Sequence, residues 1–175
     1  MAITVEDGTG LAAADAFVSV AYADAYHSAR GNSTWTGTDA VKEAAIVRAT
    51  FYLSNSYRWQ GYKVNSRAQS LAWPRTGVMD ADGYSVPDDE VPDEIEQACA
   101  EIALRELVTP GTMTPDYTPS ERVKSERFGA VAFEYDLSAK GADSARPILL
   151  VVRDLIGPLL AAGLGTSISG TVDRV

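Results

Sequence analysis

A tryptophan followed directly by a proline, Trp73-Pro74, leaves this chain little freedom in its local path. Pro74 fixes its own φ and drives Trp73 out of the helical region, while the Trp73 ring is large enough to anchor a core. The pair sits in Gln69-Ser70-Leu71-Ala72-Trp73-Pro74-Arg75, which continues through Met79-Asp80-Ala81-Asp82-Gly83 to Val91-Pro92. Val78-Met79 and Tyr84-Ser85-Val86 flank residues 80–83, a spelling that predicts a short hairpin with Asp82-Gly83 in the turn. Pro92 stands where a helix begins. Trp73, Pro74, Arg75, Gly83 and Pro92 therefore read as a structural corner that fixes the angle between two helices, and not as a chemical site.

Helical periodicity lies on both sides of that corner. Ser19 caps a first helix over residues 20 to about 30, with Gly31 as its terminator. Its expected inner face is Ala21, Tyr22, Ala25, Tyr26 and Ala29. Thr38 or Asp39 caps a longer helix to about residue 58. Its stripe is Val41, Ala44, Ala45, Ala49, Tyr52 and Leu53, widened by Ile46, Phe51 and Tyr57. A third helix, over residues 92 to about 107, puts Ile95, Ala98, Cys99, Ile102, Ala103 and Leu107 inward. Glu94, Glu96, Gln97, Glu101 and Arg105 face out. Pro147 opens a fourth over residues 148–156, which Gly157-Pro158 breaks before Leu159 and Leu160.

Strand signals are few. Val131, Phe133 and Tyr135 alternate with Ala132, Glu134 and Asp136, the period of a half-buried strand, and Gly129 marks the turn into it. A two-stranded ribbon near residues 121–136 is marginal alone, so it needs a neighbour. Arg122, Val123, Lys124, Arg127, Val131, Phe133 and Tyr135 are the expected subunit-interface residues, with the basic cluster Arg122, Lys124 and Arg127 suited to a phosphate or, better, to an acidic face of the next copy. The fourth helix is apolar nearly all round. Leu149, Leu150, Leu155, Ile156, Leu159 and Leu160 exceed what one small domain can bury and are expected to dock on a protein partner. The sum is a mainly α fold: a small bundle of about four helices with a short hairpin and a two-stranded ribbon. One domain spans residues 1–162, and a Gly/Ser/Thr-rich tail, expected to be flexible, spans 163–175.

Composition narrows the function. A chain of 175 residues with a formal charge of −9 is poorly suited to neutralising phosphates as its main task. One cysteine excludes an internal disulfide framework, and the N-terminus lacks the basic and apolar regions of a signal peptide. A soluble protein made in the cytoplasm, with no membrane span, is expected. His27, the single histidine, has no second ligand at metal spacing and reads as structural. Cys99 falls on a buried face and reads as inert packing. Asp80 and Asp82 spell part of a calcium loop without its distal glutamate. Gly8-x-Gly10 lacks the strand and the lysine of a phosphate loop, and reads as a surface arm or short strand. Arg48, Arg58 and Lys63, interleaved with Tyr52, Tyr57, Trp59 and Tyr62, admit a nucleic-acid platform, but aromatics at helical spacing are more often core. No nucleophile–base pair and no cofactor motif is present, so neither an enzyme nor a bound cofactor is expected.

Several spellings resemble a tailed-phage family. They are Val5-Glu6-Asp7-Gly8-Thr9-Gly10, Phe17-Val18-Ser19-Val20, Ala23-Asp24-Ala25-Tyr26, Arg30-Gly31, Ala72-Trp73-Pro74-Arg75, the Asp82-Gly83 turn, Val91-Pro92 with Ala98, and Val123-Lys124-Ser125-Glu126. The resemblance covers roughly residues 3 to 160. That family carries two labels, head–tail connector (adaptor) protein and DnaT-like single-stranded-DNA-binding protein. The connector label implies a ring of copies, commonly about twelve, docked under the portal protein in the virion neck. It would meet a tail-side stopper or tail completion protein, and DNA would pass through without specific binding. Twelve copies at −9 each would place on the order of a hundred negative charges around a channel, which suits a conduit. The second label implies a positive groove with exposed stacking rings, which this composition supplies poorly.

Overall fold

The computed structural model describes residues 3–116 and 147–161, together with the backbone of 125–128 and 131–134. The four expected helices are present: α1 (Val20–Ala29), α2 (Asp39–Ser56), α3 (Asp93–Val108) and α4 (Leu150–Ile156). α3 is the centre. α2 and α4 each pack on it without touching one another, and α1 lies against both α2 and α3. No helix among the described residues is long and apolar enough to cross a membrane.

Local chemistry sets the helix ends. The Ser19 hydroxyl accepts the Tyr22 N–H at 3.1 Å, and Gly31, at φ +67°, stops α1. α2 ends at Ser56 because Tyr57 turns extended, two residues short of the expected stop. Pro92 is the N-cap of α3 and not its first helical residue. Its carbonyl takes the first N–H groups, and Asp93, Glu94 and Glu96 complement the positive end of the dipole. Between α2 and α3 the sequence periodicity missed a second small sheet. β1 (Tyr62–Lys63) pairs antiparallel with β2 (Arg75–Thr76). β3 (Ser125–Phe128) and β4 (Val131–Glu134) form the expected ribbon, in a register that sets Phe128 opposite Val131.

The core draws on every segment: Phe17, Ile46, Leu53, Trp73, Ile95, Ile102, Ile156 and Leu159 are all essentially inaccessible. Two helix faces differ from the expectation. In α1 the buried residues are Ala23, Tyr26 and His27, while Ala21, Ala25 and Ala29 are exposed. Two rings bury far more apolar area than three methyl groups, so they decide the rotation. In α2, Ala45, Ile46, Ala49, Thr50, Tyr52 and Leu53 turn inward, but Val41, Ala44 and Phe51 do not. α3 is the main helix neighbour of α2 and α1 touches it only lightly, so the wide stripe is only half used.

Buried polar groups were the least visible in the sequence. Glu6 is buried, and its carboxylate accepts N–H bonds from Gly8, Gly10 and Leu11 at 2.8–3.3 Å. The opening segment is therefore no surface arm. It is a loop folded around a carboxylate and held to the body by a parallel bridge between Val5 and Ala16. A Cβ on Gly8 would lie 2.0 Å from the Asp89 carbonyl, so only glycine allows this docking. Glu101 and Glu106 of α3 are also buried, although the former sits on the face expected to be outward. Glu101 accepts the Tyr26 hydroxyl at 3.0 Å and pairs with Arg105.

His27 takes the structural role expected of it. One ring nitrogen lies 3.1 Å from the Ala100 carbonyl and the other 3.0 Å from the Asn32 amide, and Trp35 packs on the ring. Burial pushes its pKa below the usual 6.5, against the smaller opposing pull of the Ala100 carbonyl and Glu101. The folded state thus prefers neutral imidazole. Stability from this group is complete above the unfolded pKa and is lost as pH falls below it. Urea midpoints at pH 7.5 and 5.5 should differ more for the native chain than for His27→Gln. Equal differences would remove His27 as the cause.

Candidate interaction surfaces

The corner built from Trp73, Pro74 and Arg75 lies inside the molecule. Trp73 is fully buried, its ring 5.6 Å from that of Trp59 in an edge-to-face arrangement, and the Trp73–Pro74 peptide is cis. Arg75 spreads its guanidinium over three carbonyls: Gln60 at 2.6 Å, Gly61 at 2.6 Å and Ala72 at 3.1 Å. Gln69, also buried, donates to the carbonyls of Leu71 and Pro74. These residues tie a strap, residues 57–76, that runs beside α2. Gly61 fits there because a Cβ would meet the Thr76 carbonyl at 2.0 Å.

The hairpin after the strap is present as expected. Val86 N–H bonds to Val78 O, Asp80 N–H to Tyr84 O, and Gly83 closes the turn at φ +86°. Asp80 Oδ1 accepts the N–H groups of Asp82 and Tyr84 at 2.9 and 2.8 Å, so the carboxylate serves the turn. Asp80→Ala should cost about 0.5–1.5 kcal/mol, read as a small loss in urea midpoint. Among the described residues no cluster of three or more His, Cys, Asp or Glu converges as a metal site would. Cys99 is fully buried against Thr50, and burial pushes its thiol up to about 12, which leaves it inert at neutral pH.

The residues expected to dock fall into two groups. Ile156 and Leu159 belong to the chain's own core, 0 and 1 % exposed, so neither can dock elsewhere. Their helix is amphipathic in place, because α3 covers one side of it. Leu149, Leu155 and Leu160 are half-buried. The bare part is the start of α4, where Ile148 is 75 %, Leu150 60 % and Val151 41 % exposed. Of the expected ribbon contacts, Arg127, Val131 and Phe133 lie in paired strands, while Arg122, Val123, Lys124 and Tyr135 fall outside the described residues, as does the 163–175 tail.

A second bare surface was not expected. On α2, Val41 is 50 % and Phe51 61 % exposed. Phe51 rims a groove of about 390 Å³ that α2 forms with the Ala14-Asp15 turn and the Lys63-to-Leu71 strap. Sequence periodicity had assigned Phe51 to the core. What betrays it is its offset from Tyr52 and Leu53, which cannot share one narrow face with it.

Cations are scarce on the described surface. Arg30 stacks 3.5 Å over Tyr26, Lys42 pairs with Asp24, and Arg48 pairs with Glu106. Lys63 donates to the carbonyls of Gln69 and Ser70. Among the described residues only Arg58, Arg67 and Arg153 have no such partner. Of the aromatics in the possible nucleic-acid platform, Tyr52 and Trp59 are core and Tyr57 is partly buried. Tyr62 alone is well exposed, at 79 %.

The described residues thus form a mainly helical domain with bare apolar faces on α2 and α4 and a two-stranded ribbon. The whole chain, residues 1–175, matches the family described as "Putative DnaT-like ssDNA binding protein", and it belongs to that family. Neither a curated protein nor a solved structure matches it.

Proposed function

We propose that the chain works by assembly and not by catalysis, as a head–tail adaptor. Its copies would form a ring, commonly about twelve-fold, under the portal of a tailed-phage capsid, extend the DNA channel and meet the tail-side stopper. The observation that carries this is the bare apolar start of α4. Burying a large aliphatic side chain is worth roughly 1.5–3 kcal/mol, and Ile148, Leu150 and Val151 face water within four positions. The β3–β4 ribbon adds to it, since among the described elements each of its strands packs only on the other. A charge of −9 and cations already engaged inside the fold suit a conduit through which DNA slides.

The family description favours a second reading, single-stranded-DNA binding. Phe51 and Tyr62 offer exposed rings, and Arg58 and Arg67 offer unpaired cations. Such sites gain about 1–3 kcal/mol per stacked base but need a positive groove to hold the backbone. One pair of measurements separates the two. Electron microscopy and protein counting on purified particles should find the chain in the neck at a ring-like copy number. Labelled single strands should show no salt-sensitive retardation by the isolated chain at modest ionic strength. Absence from the particle, together with tight salt-dependent capture of single strands, would reverse the choice.

A further inference from the structure

Two bare apolar patches among the described residues differ in shape. One is the outward side of α4, a convex ridge in which Leu150 is flanked by Val151, Arg153 and Asp154. The other is the concave groove beside α2, with Val47 and Phe51 on its apolar side and Asp15 and Lys63 on its polar side. They belong to different helices, α4 and α2, each of which packs on α3.

That arrangement is what a head-to-tail contact requires. A ring or filament of identical copies needs two unlike, complementary patches that cannot meet within one chain. The geometry points to the α4 ridge of one copy seating in the α2 groove of the next. The occupant is a second copy because the charges complement as well as the shapes. The groove is lined by the exposed Asp15 and the ridge presents the exposed Arg153, so an acid on one face meets a base on the other. Leu150 enters beside Phe51, which removes from water two side chains that are each more than half exposed. This contact rests on the assembly reading above and names the surfaces that would carry it.

Complementation tests it with the full chain. Phe51→Glu destroys the groove and spares the ridge; Leu150→Glu does the reverse. Both side chains are more than half exposed, so both variants should fold as the native chain does by circular dichroism. Across a concentration series in analytical ultracentrifugation, the native chain should self-associate and each variant alone should stay at 18.7 kDa. A mixture of the two should give a species of twice that mass and stop there. It would contain one intact ridge-in-groove contact and have no working surface left to extend. Cysteines placed at both 51 and 150 should yield a ladder of disulfide-linked multimers, while the two single-cysteine variants mixed should yield linked pairs only.

Three results overturn the proposal, and they are distinguishable. Native self-association that neither glutamate variant weakens removes this contact but leaves assembly standing. Loss in Leu150→Glu that mixing with Phe51→Glu does not restore keeps α4 in the contact but moves its seat on the next copy away from the α2 groove. A native chain that stays single at every concentration and gives no ladder removes both this contact and the assembly reading.

Discussion

Trp73→Ala is expected to destabilise the chain by about 3–5 kcal/mol, lowering the melting temperature by roughly 6–20 °C. Trp73 is 0 % exposed and packs edge-to-face on Trp59 beneath the α2–α3 contact. Removing the ring opens a cavity that a neighbouring tryptophan and a strap tied by Arg75 cannot collapse to fill. The contribution comes from packing. The Trp73 indole N–H meets no acceptor among the described residues, while the ring itself is fully enclosed. Trp73→Phe should therefore cost much less, about 1–2 kcal/mol, since most of the ring volume survives. Thermal melts of both variants check this. Equal losses for Ala and Phe would mean that the indole group itself, and not the filled volume, holds the corner.

The second large effect belongs to Glu106. Its carboxylate is 1 % exposed and accepts Arg48 Nε at 2.8 Å, Gly111 N–H at 2.7 Å and Met113 N–H at 2.9 Å. One residue thereby ties α2 to α3 and also folds the chain back after the end of α3. Glu106→Ala should cost about 2–4 kcal/mol, mainly because the Met113 amide is left buried without a partner. Arg48 is over a third exposed and can turn to water, so the lost ion pair contributes the smaller share. Glu106→Gln keeps one acceptor oxygen in place and should recover about half. Urea unfolding of the two variants, with and without Arg48→Ala, measures the coupling. If Arg48→Ala alone matched Glu106→Ala, the amides would not be the main cause.

Surface area and periodicity made much of this molecule legible in advance. Four helices at nearly their observed bounds, the hairpin closed by Gly83, the ribbon before and after Gly129 and the burial of Cys99 all follow from local spacing and turn chemistry. So does the anchoring weight of Trp73, because a large ring beside a proline has few places to go. The family also follows from spelling, since the full-length match agrees with one of the two labels those motifs suggested. The α1 face, the Glu6 loop and the inward glutamates were not legible.

The residue order by itself determined which segments become helices and where turns must fall, because capping, proline geometry and hydrophobic period act within a few neighbouring positions. Only the tertiary structure decided which sides of those helices are used. α3 meets only one side of α4, so Val152 and Ile156 are buried and Leu150 is left bare. It likewise buries Leu53 of α2 and leaves Phe51 bare. Local period reports how apolar a face is, and the number of partners that can reach it sets how much of that face water still sees.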